Sequence, residues 1–329
     1  MAVYKEIHGT KVKSVTSDPP APANGEMWYN STERKVKGFK QTLTGSWATG
    51  GTLNTSPGRF QLGGAGTQTA ALAFGGGTQW PGVGVTANTE TYDGSSWTEV
   101  NNLNSSRRNL TGLGLQTAAL GFGGGPPASA LNESWNGSSW TEVADLNTAK
   151  DNNCGGTGTQ TAGIAFGGEG APGAVTATAE TWNGSAWTEV GDLNTGRSGL
   201  GSAGTSTSAL GFGGATSPGG QTESWNGSAW TEVADLNTTS REGPGGFGAS
   251  NTSALCASAG TVNTEEWNGS AWTEVANVST AVSNCGPTQS GTTSLGAIFG
   301  GFSPPGIIPR QTTEEWTGPT DTTVTFSTS

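Results

Sequence analysis

Short apolar stretches separated by Gly, Asn, Ser and Thr recur along this chain in a fixed order. One type of stretch ends in two glycines, as in residues 72–76 (Leu-Ala-Phe-Gly-Gly). The next carries two aromatic residues five positions apart, such as Trp135 and Trp140, with a polar turn between them. No segment sustains apolar residues at positions i, i+3, i+4 and i+7, the spacing of an amphipathic helix. The pattern therefore predicts many short β-strands and almost no helix.

The aromatic stretch belongs to a motif, Glu-(Thr/Ser/Glu)-(Trp/Tyr)-(Asn/Asp)-Gly-Ser-(Ser/Ala)-Trp-Thr-Glu-Val, that occurs five times. Its copies end at Val100, Val143, Val190, Val233 and Val275. A period of 42 to 47 residues is typical of repeat architectures in which each repeat is one structural unit. The 56 glycines alone would suit a low-complexity chain, but 13 tryptophans in constant register indicate a folded array.

The Asn-Gly or Asp-Gly pair within the motif predicts a hairpin, because both residues tolerate positive φ. A two-residue turn would make the flanking aromatics diagonal neighbours, whereas a four-residue turn would place them directly opposite. Either geometry puts both rings on one face of the sheet. Thr141 and Val143 then lie on the other face, so both faces need cover from a neighbouring sheet. The strands before the glycine pairs are rich in small residues, which suits strands that converge on an axis.

The order of basic residue, apolar strand with a glycine pair, aromatic, turn and final Trp resembles the kelch repeat of β-propellers. The resemblance extends over residues 53–329 and implies an all-β propeller of four-stranded antiparallel blades. The glycine pairs or their remnant, and equally the first aromatics of the units, number six, so we predict a six-bladed propeller. A small N-terminal hairpin and extended arm would occupy residues 1–52. The aromatics expected to hold the blades together are Trp97, Trp135, Trp140, Trp182, Trp187, Trp225, Trp230, Trp267, Trp272 and Trp316.

Two segments compete for the outer strand of the last blade. Residues 322–326 follow Trp316 at a suitable distance, but Trp47 is followed at the repeat's spacing by a Leu-Asn-Thr segment, as an outer strand would be. If Trp47 closes the ring, the N- and C-terminal strands share one blade. Otherwise Trp47 belongs to a separate N-terminal element or to a partial seventh blade.

Charge is distributed unevenly between the two regions. The whole chain carries −11, yet seven of its 14 Lys and Arg lie in the first 40 residues. The arm is therefore basic and the propeller strongly acidic, which argues against nucleic-acid binding by the propeller. The N-terminus carries no apolar core of signal-peptide length, and no run of 18 apolar residues exists, so we expect neither export by a signal peptide nor membrane insertion.

Candidate catalytic chemistry is sparse. The single histidine, His8, lies in the arm, and the three cysteines have no metal-like spacing, so we predict no metal, no cofactor and no catalytic residue. Cys154, Cys256 and Cys285 are interpreted as small buried residues. The recurrent outer-strand acids, such as Glu99 and Glu142, are interpreted as solvated edge charges.

A recurrent cation follows the Leu-Asn-Ser/Thr segment of nearly every repeat, with Val282 breaking the series. We expect this connection to open at the same end of the ring as the loops after the glycine pairs, where recognition usually resides. The hypothesis is a ligand-binding mouth for an anionic or carbohydrate surface; the alternative is that the cations pair with acids in neighbouring connections. The proposed ligand-binding residues are Arg59, Arg107, Arg108, Lys150, Arg197, Arg241, Trp80, Phe302, Ile307 and Ile308.

Residues 25–30 (Gly-Glu-Met-Trp-Tyr-Asn) look like a hairpin found near the start of many tailed-bacteriophage virion proteins. That resemblance implies a phage structural protein, located in the virion, whose arm docks on a head or tail protein through Lys5, Lys11, Lys13, Trp28 and Tyr29. The propeller would then contact a host-surface glycan or protein, or decorate the capsid or tail. The alternatives are a bacterial kelch-type protein-interaction scaffold and, as an enzyme, a propeller glycosidase or lyase. A homo-oligomer is left open.

Overall fold

The computed structural model describes residues 12–20, 22, 25–41, 45–79, 84–170, 173–215, 219–239, 243–303, 308–319 and 321–326. All regular secondary structure in these ranges is β-strand. The chain forms two compact units. One is residues 46–318, and the other combines residues 1–45 with residues 319–329.

The larger unit contains six four-stranded antiparallel sheets, here called blades 1 to 6. Blades 1 to 3 consist, from the first strand to the outermost, of Gly63–Thr67, Ala70–Phe74, Thr89–Tyr92 and Trp97–Val100; Thr111–Leu115, Ala118–Phe122, Asn132–Trp135 and Trp140–Val143; Gly155–Thr159, Ala162–Phe166, Ala179–Trp182 and Trp187–Val190. Blades 4 to 6 consist of Gly201–Thr205, Ser208–Phe212, Thr222–Trp225 and Trp230–Val233; Gly245–Ser250, Ser253–Ala257, Thr264–Trp267 and Trp272–Val275; Gly286–Pro287, Leu295–Phe299, Thr313–Thr317 and Ser46–Thr49. Two short hairpins in the connections pair Glu169–Gly170 with Ala174–Val175 and Phe302–Ser303 with Ile308–Pro309.

The first strands of the six blades contact one another in a closed cycle, so they surround the axis of a β-propeller. Their glycines permit a close approach of backbones. A Cβ on Gly112 of blade 2 would lie 2.4 Å from the carbonyl oxygen of Gly64 in blade 1, and a Cβ on Gly64 would lie 2.3 Å from that of Pro287 in blade 6. The strands at the axis are thus the glycine-rich first strands. The strands before the glycine pairs, which were expected to converge on the axis, are the second strands of the blades, so that expectation was wrong.

The motif's aromatic pairs lie between blades, as predicted. Trp135 and Trp140 are directly opposite in the ladder, with ring centroids 5.4 Å apart. Trp140 also packs on Phe74 of the preceding blade at 4.8 Å, and both tryptophans belong to a core cluster shared by blades 1 and 2. The same contact recurs between successive blades in the pairs Phe122–Trp187, Phe166–Trp230, Phe212–Trp272 and Phe299–Trp97. Each blade thus buries its aromatic pair against the blade before it.

The outer-strand indoles also form hydrogen bonds across the blade boundary. Trp140 Nε1 donates to Thr89 Oγ1 at 3.0 Å, and Trp272 Nε1 donates to Thr222 Oγ1 at 3.0 Å. The acceptor is in each case the first residue of the third strand of the preceding blade. Blade 3 has Ala179 at that position, and the Trp230 indole that faces it has no acceptor among the described residues.

The ring is closed by Ser46–Thr49, which pairs with Thr313–Thr317 so that Trp47 is opposite Trp316. The competing C-terminal segment, Asp321–Phe326, instead pairs with Lys35–Gln41 in the smaller unit. The boundary predicted between residues 52 and 53 therefore differs from the observed one after residue 45, because residues 46–49 supply the outer strand of blade 6. Tyr92, which replaces the usual Trp in blade 1, donates a hydrogen bond to Glu315 and accepts one from the Gly51 N–H across this seam.

The smaller unit contains the predicted hairpin. Met27–Asn30 pairs antiparallel with Lys35–Gln41, and Lys13–Val15 adds a parallel strand on the other side of Met27–Asn30. Together with Asp321–Phe326 these strands form one four-stranded sheet. The hairpin thus gains the additional strands that such a small element needs for stability.

We expect the Ala179→Thr substitution to stabilise the protein by about 1 kcal/mol, because its hydroxyl would give the buried Trp230 N–H a hydrogen-bond acceptor. Ala179→Val is the matched control, since valine has the shape of threonine without the hydroxyl. Denaturant unfolding of both variants measures the difference. If the two variants have equal stabilities, a hydroxyl at position 179 does not accept a hydrogen bond from the Trp230 N–H.

Candidate functional site

The loops after the glycine pairs and the connections between successive blades lie at one end of the propeller, here called the loop end. Where both residues are described, the second glycine of a pair donates a hydrogen bond to the carbonyl of the recurrent cation in the adjacent connection. Gly76 N bonds to Arg107 O, Gly124 N to Lys150 O and Gly168 N to Arg197 O, each at 2.8 Å. The predicted meeting of these two sets of loops is therefore observed.

The cations themselves do not form an open mouth. The side chains of Arg59, Lys150 and Arg197 are fully buried, and Arg107 is 4% exposed. Arg59 Nη1 donates to the carbonyls of Gly75 and Asn88, while its Nη2 donates to Glu90 Oε1 at 2.9 Å. These four cations are therefore unavailable to a surface ligand, and the ring-mouth hypothesis is wrong for them.

Arg107 and Arg197 repeat the same arrangement. Arg107 pairs with Glu133 at 2.9 Å and Arg197 with Glu223 at 3.0 Å, with both partners almost fully buried. Burial lowers the pKa of each guanidinium, that of Arg59 to about 10, while the neighbouring glutamate opposes the shift. The alternative reading, that the cations pair with acids, holds here, although the acids are in the next blade's third strand rather than in a neighbouring connection.

Sequence reasoning missed the role of these glutamates. Glu133 Oε2 accepts hydrogen bonds from the Asn104 backbone N–H at 2.7 Å and from its side-chain amide at 2.9 Å. It thereby fixes the Leu-Asn-Ser segment that leads from blade 1 into blade 2. Glutamates at the same place bind the corresponding segment in the other blades, namely Glu90, Glu180, Glu223, Glu265 and Glu314. In the sequence, each of these glutamates is the first residue of the repeated motif, and this recurrence was the signal that could have identified them.

Two connections depart from the arginine pattern. Lys150 donates to the Gly167 and Thr178 carbonyls and to Thr178 Oγ1, and burial lowers its pKa. In the last connection Val282 occupies the cation position, and Glu314 accepts hydrogen bonds from Ser279 and Thr280 instead. The glutamate's contacts with the segment backbone thus persist where the cation changes.

Three large aliphatic side chains are exposed in the described loops after the glycine pairs. Ile308, one of the predicted contact residues, is 58% exposed, and Val175 and Val262 in the loops of blades 3 and 5 are 43% and 38% exposed. Phe302 is half-buried against Phe60, with ring centroids 6.0 Å apart. Arg108 is partly exposed, and its Nε and Nη1 have no hydrogen-bond partner among the described residues. Trp80, Arg241 and Ile307 lie outside the described residues.

A shallow cleft lies at the loop end between blades 2 and 3. It has a volume of about 240 Å³ and is lined by Pro126, Pro127, Ala128, Asp151, Glu169, Gly170 and Gly173. Glu169 Oε1 is engaged by Asn152 Nδ2 and Ser198 Oγ. Small-molecule sites usually occupy roughly 300–1,000 Å³. This cleft is smaller, which suits contact with part of a larger surface.

In the smaller unit, the structure describes three of the five predicted docking residues. Trp28 is fully buried, and its indole donates to Asp18 Oδ1 at 3.0 Å, so it belongs to the core of this unit and is unavailable for docking. Tyr29 is half-buried and Lys13 is exposed, while Lys5 and Lys11 lie outside the described residues. Hydrogen bonds from Lys37, Asn30 and Trp28 lower the pKa of Asp18 to about 2.

Across the described ranges, no group of three or more His, Cys, Asp and Glu is arranged to hold a metal ion. In the same ranges no helix is long and apolar enough to cross a membrane. The three cysteines are buried. The interpretation of the cysteines as small core residues agrees with this burial.

Comparison with known proteins supports the fold. No family model and no curated protein matches the chain. Among solved structures, the chain is similar to the structure of YjhT, with a TM-score of 0.61 and 12% identity over 82% of this chain and 99% of that one. At this identity the likeness shows the fold, a multi-bladed β-propeller.

Replacing Arg197 with Met should destabilise the protein by about 3–5 kcal/mol, because Glu223 would remain as a buried, uncompensated charge. The double variant Arg197→Met/Glu223→Gln should recover part of that loss. Arg108→Met is the control, since Arg108 forms no ion pair among the described residues, and it should change stability by less than about 1 kcal/mol. Denaturant unfolding compares the three; equal effects of the two single substitutions would contradict the assigned role.

Proposed function

We propose that this chain is a non-enzymatic recognition module of a bacteriophage virion. In this proposal the smaller unit attaches to a head or tail protein, and the loop end of a kelch-like propeller contacts a carbohydrate or protein on the host surface or decorates the particle. The observation that carries the proposal is that the chain contains two separate units of different character. A closed propeller with three large aliphatic residues exposed in its described loops is joined to a second unit that contains the phage-like hairpin.

Charge supports two different partners for the two units. Residues 46–318 contain seven Lys and Arg against twenty Asp and Glu, whereas the smaller unit contains seven and five. Four of the propeller's seven cations and six of its twenty acids are buried, so its remaining charges are still predominantly acidic. A basic unit and an acidic unit attract different surfaces, which suits an attachment element and a display element.

The aliphatic residues of the loop end support recognition there. Ile308, Val175 and Val262 are exposed on loops at the same end of the propeller, and loops carried by a scaffold are where recognition often resides. Catalysis is less well supported, because the recurrent buried glutamates are occupied by structural hydrogen bonds. Turnover of a host polysaccharide would favour the glycosidase or lyase alternative.

A second candidate is a bacterial protein-interaction scaffold. The same loop end would then bind a protein partner, and no virion would be involved. Co-purification of the chain with phage particles, as against an intracellular protein complex, separates the two.

The triple variant Ile308→Asp, Val175→Asp and Val262→Asp should reduce binding to host cells by roughly tenfold or more, since charges would replace apolar contacts. Leu115 and Leu295 are equally exposed, at 48% and 47%, but border the hairpins between first and second strands, away from the loop end. Leu115→Asp with Leu295→Asp is therefore the matched control. A cell-binding assay with labelled protein measures both, and equal losses would remove the loop end from the proposal.

Attachment is tested separately through the exposed lysines of the smaller unit. Lys13→Glu with Lys35→Glu should lower incorporation into particles about tenfold, because a basic docking surface would become acidic. Thr141→Glu with Thr188→Glu adds negative charge to exposed strands of the propeller and should leave incorporation unchanged. Immunoblotting of purified particles provides the readout; unaltered incorporation of the lysine variant would count against docking by this surface.

A further inference from the structure

The turns between the third and fourth strands of blades 2 to 5 share the sequence Asn-Gly-Ser. Their asparagines are Asn136, Asn183, Asn226 and Asn268, and both residues of every Asn-Gly pair are exposed. The amide carbon of an asparagine can be attacked by the backbone nitrogen of the next residue. Glycine hinders this attack least, because it has no Cβ. These turns are therefore places where the chain can modify itself.

The turn of blade 2 holds the Asn136 side chain against its own backbone. Asn136 Oδ1 accepts hydrogen bonds from the Ser138 N–H, the Ser138 hydroxyl and the Ser139 N–H, each at 2.9 Å. Bonds to residues two and three positions further on fold the carboxamide back over the Asn-Gly peptide bond. The Gly137 N–H, which is the attacking group, donates no hydrogen bond within the described residues. No such bond therefore hinders the loss of its proton to water.

The same three hydrogen bonds to Oδ1 recur in blades 3 to 5 at 2.8–3.0 Å. Two backbone N–H groups and one hydroxyl are thus aimed at a single carbonyl oxygen. This is the arrangement of an oxyanion hole, which stabilises the negative charge that develops on such an oxygen during nucleophilic attack. The donors of the turn therefore lower the barrier to addition at Cγ.

Blade 1 shows that the same turn accommodates an acid. Its sequence, Asp93-Gly-Ser-Ser, differs from that of blade 2 only by a carboxylate in place of the amide. Asp93 Oδ1 accepts hydrogen bonds from the Ser96 N–H, the Ser95 hydroxyl and the Ser95 N–H, each at 2.8 Å. These bonds lower the pKa of Asp93 to about 2. An aspartate formed in another blade would keep the hydrogen bonds of the asparagine that it replaces.

We propose that Asn136, Asn183, Asn226 and Asn268 deamidate spontaneously, and that the hydrogen-bond donors of the turn promote the reaction. The glycine nitrogen gives its proton to water and forms a bond to Cγ, while Oδ1 carries the negative charge of the tetrahedral intermediate. The Cγ–Nδ2 bond then breaks, and the nitrogen takes up a proton from water and leaves as ammonia.

The remaining succinimide ring is opened by water. Addition at Cγ breaks the bond to the glycine nitrogen and leaves aspartate in an intact main chain. Addition at the other carbonyl gives isoaspartate, whose main chain is one carbon longer. In both cases the sum is asparagine and water converted to an acid and ammonia.

Each conversion adds one negative charge at the end of the propeller opposite the loop end. Gly137 lies there, since a Cβ on it would be 3.3 Å from the Thr117 carbonyl oxygen in the hairpin between the first and second strands. Gly184 and Gly227 have the same relation to Thr161 and Thr207. That end would thus become more negative as the protein ages, while the loops proposed for recognition keep their charge.

Mass spectrometry of tryptic peptides tests each turn separately. Trypsin cuts after Lys and Arg, so one of the four sites lies in each of the peptides 109–150, 151–197, 198–241 and 242–310. The folded full chain is incubated in mildly alkaline buffer, which favours loss of the glycine proton, and a denaturant-unfolded sample serves as the clock. Asparagines of the Leu-Asn-Thr segments are the internal controls, because they are also exposed but precede β-branched threonine; they are Asn147, Asn194 and Asn237.

In the folded chain we expect the four turn asparagines to convert roughly tenfold or more faster than these controls, because the threonine side chain hinders attack. If the folded protein keeps all four amides for a time in which the unfolded chain converts them, the proposal is overturned.

Ser138→Ala tests the role of the turn, because it removes the hydroxyl donor to Asn136 Oδ1. We expect it to slow the conversion of Asn136 roughly three- to tenfold, the effect of losing one hydrogen bond. The other three sites in the same chain are the controls and should keep their rates. An unchanged rate at Asn136 would show that the turn does not promote the reaction.

A variant with aspartate at all four sites tests whether the fold retains the product. Its substitutions are Asn136→Asp, Asn183→Asp, Asn226→Asp and Asn268→Asp. We expect a melting temperature within a few degrees of that of the unmodified chain, because Asp93 occupies the same turn in blade 1. Loss of the folded tryptophan fluorescence at room temperature would contradict this retention.

Discussion

The packing of each aromatic pair against the preceding blade is the interaction on which the structure depends. A blade has apolar side chains on both faces, so it is stable only when a neighbour covers each face. Trp135 and Trp140 bury themselves against Phe74 of blade 1, and equivalent contacts continue around the ring to Phe299 and Trp97. The closed ring follows because an open array would leave its two end faces uncovered.

The buried glutamates fix the connections between the packed blades. Each glutamate and its aromatic partner, two residues later, lie on the same face of the third strand and point towards the preceding blade. The aromatic contributes apolar burial, while the glutamate fixes the connection that enters its own blade. One short stretch of sequence therefore packs each blade against the preceding one and also fixes the connection that enters the blade.

The period, the glycine pairs and the aromatic spacing were sufficient to predict the all-β propeller, its six blades and the location of the aromatic pairs. The sequence also showed that a cation recurs once per repeat, but its burial could not be deduced because recurrence does not reveal which way a side chain points. Arg59 and Arg108 illustrate this difference, since one is enclosed by carbonyls and a carboxylate while the other is partly exposed. The strand at Trp47 was a correct candidate, but sequence spacing alone could not exclude the C-terminal tail.

In a chain of near-identical repeats, a strand that pairs well in one blade also pairs almost as well in another. The correct assignment of strands to blades therefore needs a feature that is not repeated. The seam between blades 1 and 6 differs from every other junction: Tyr92 replaces Trp, its hydroxyl contacts Glu315 and the Gly51 N–H, and the closing strand reads Ser-Trp-Ala-Thr. A ring shifted by one unit would place these side chains against the wrong neighbours and forfeit their hydrogen bonds. The irregular junction therefore favours one arrangement of the blades over arrangements that are shifted by one repeat.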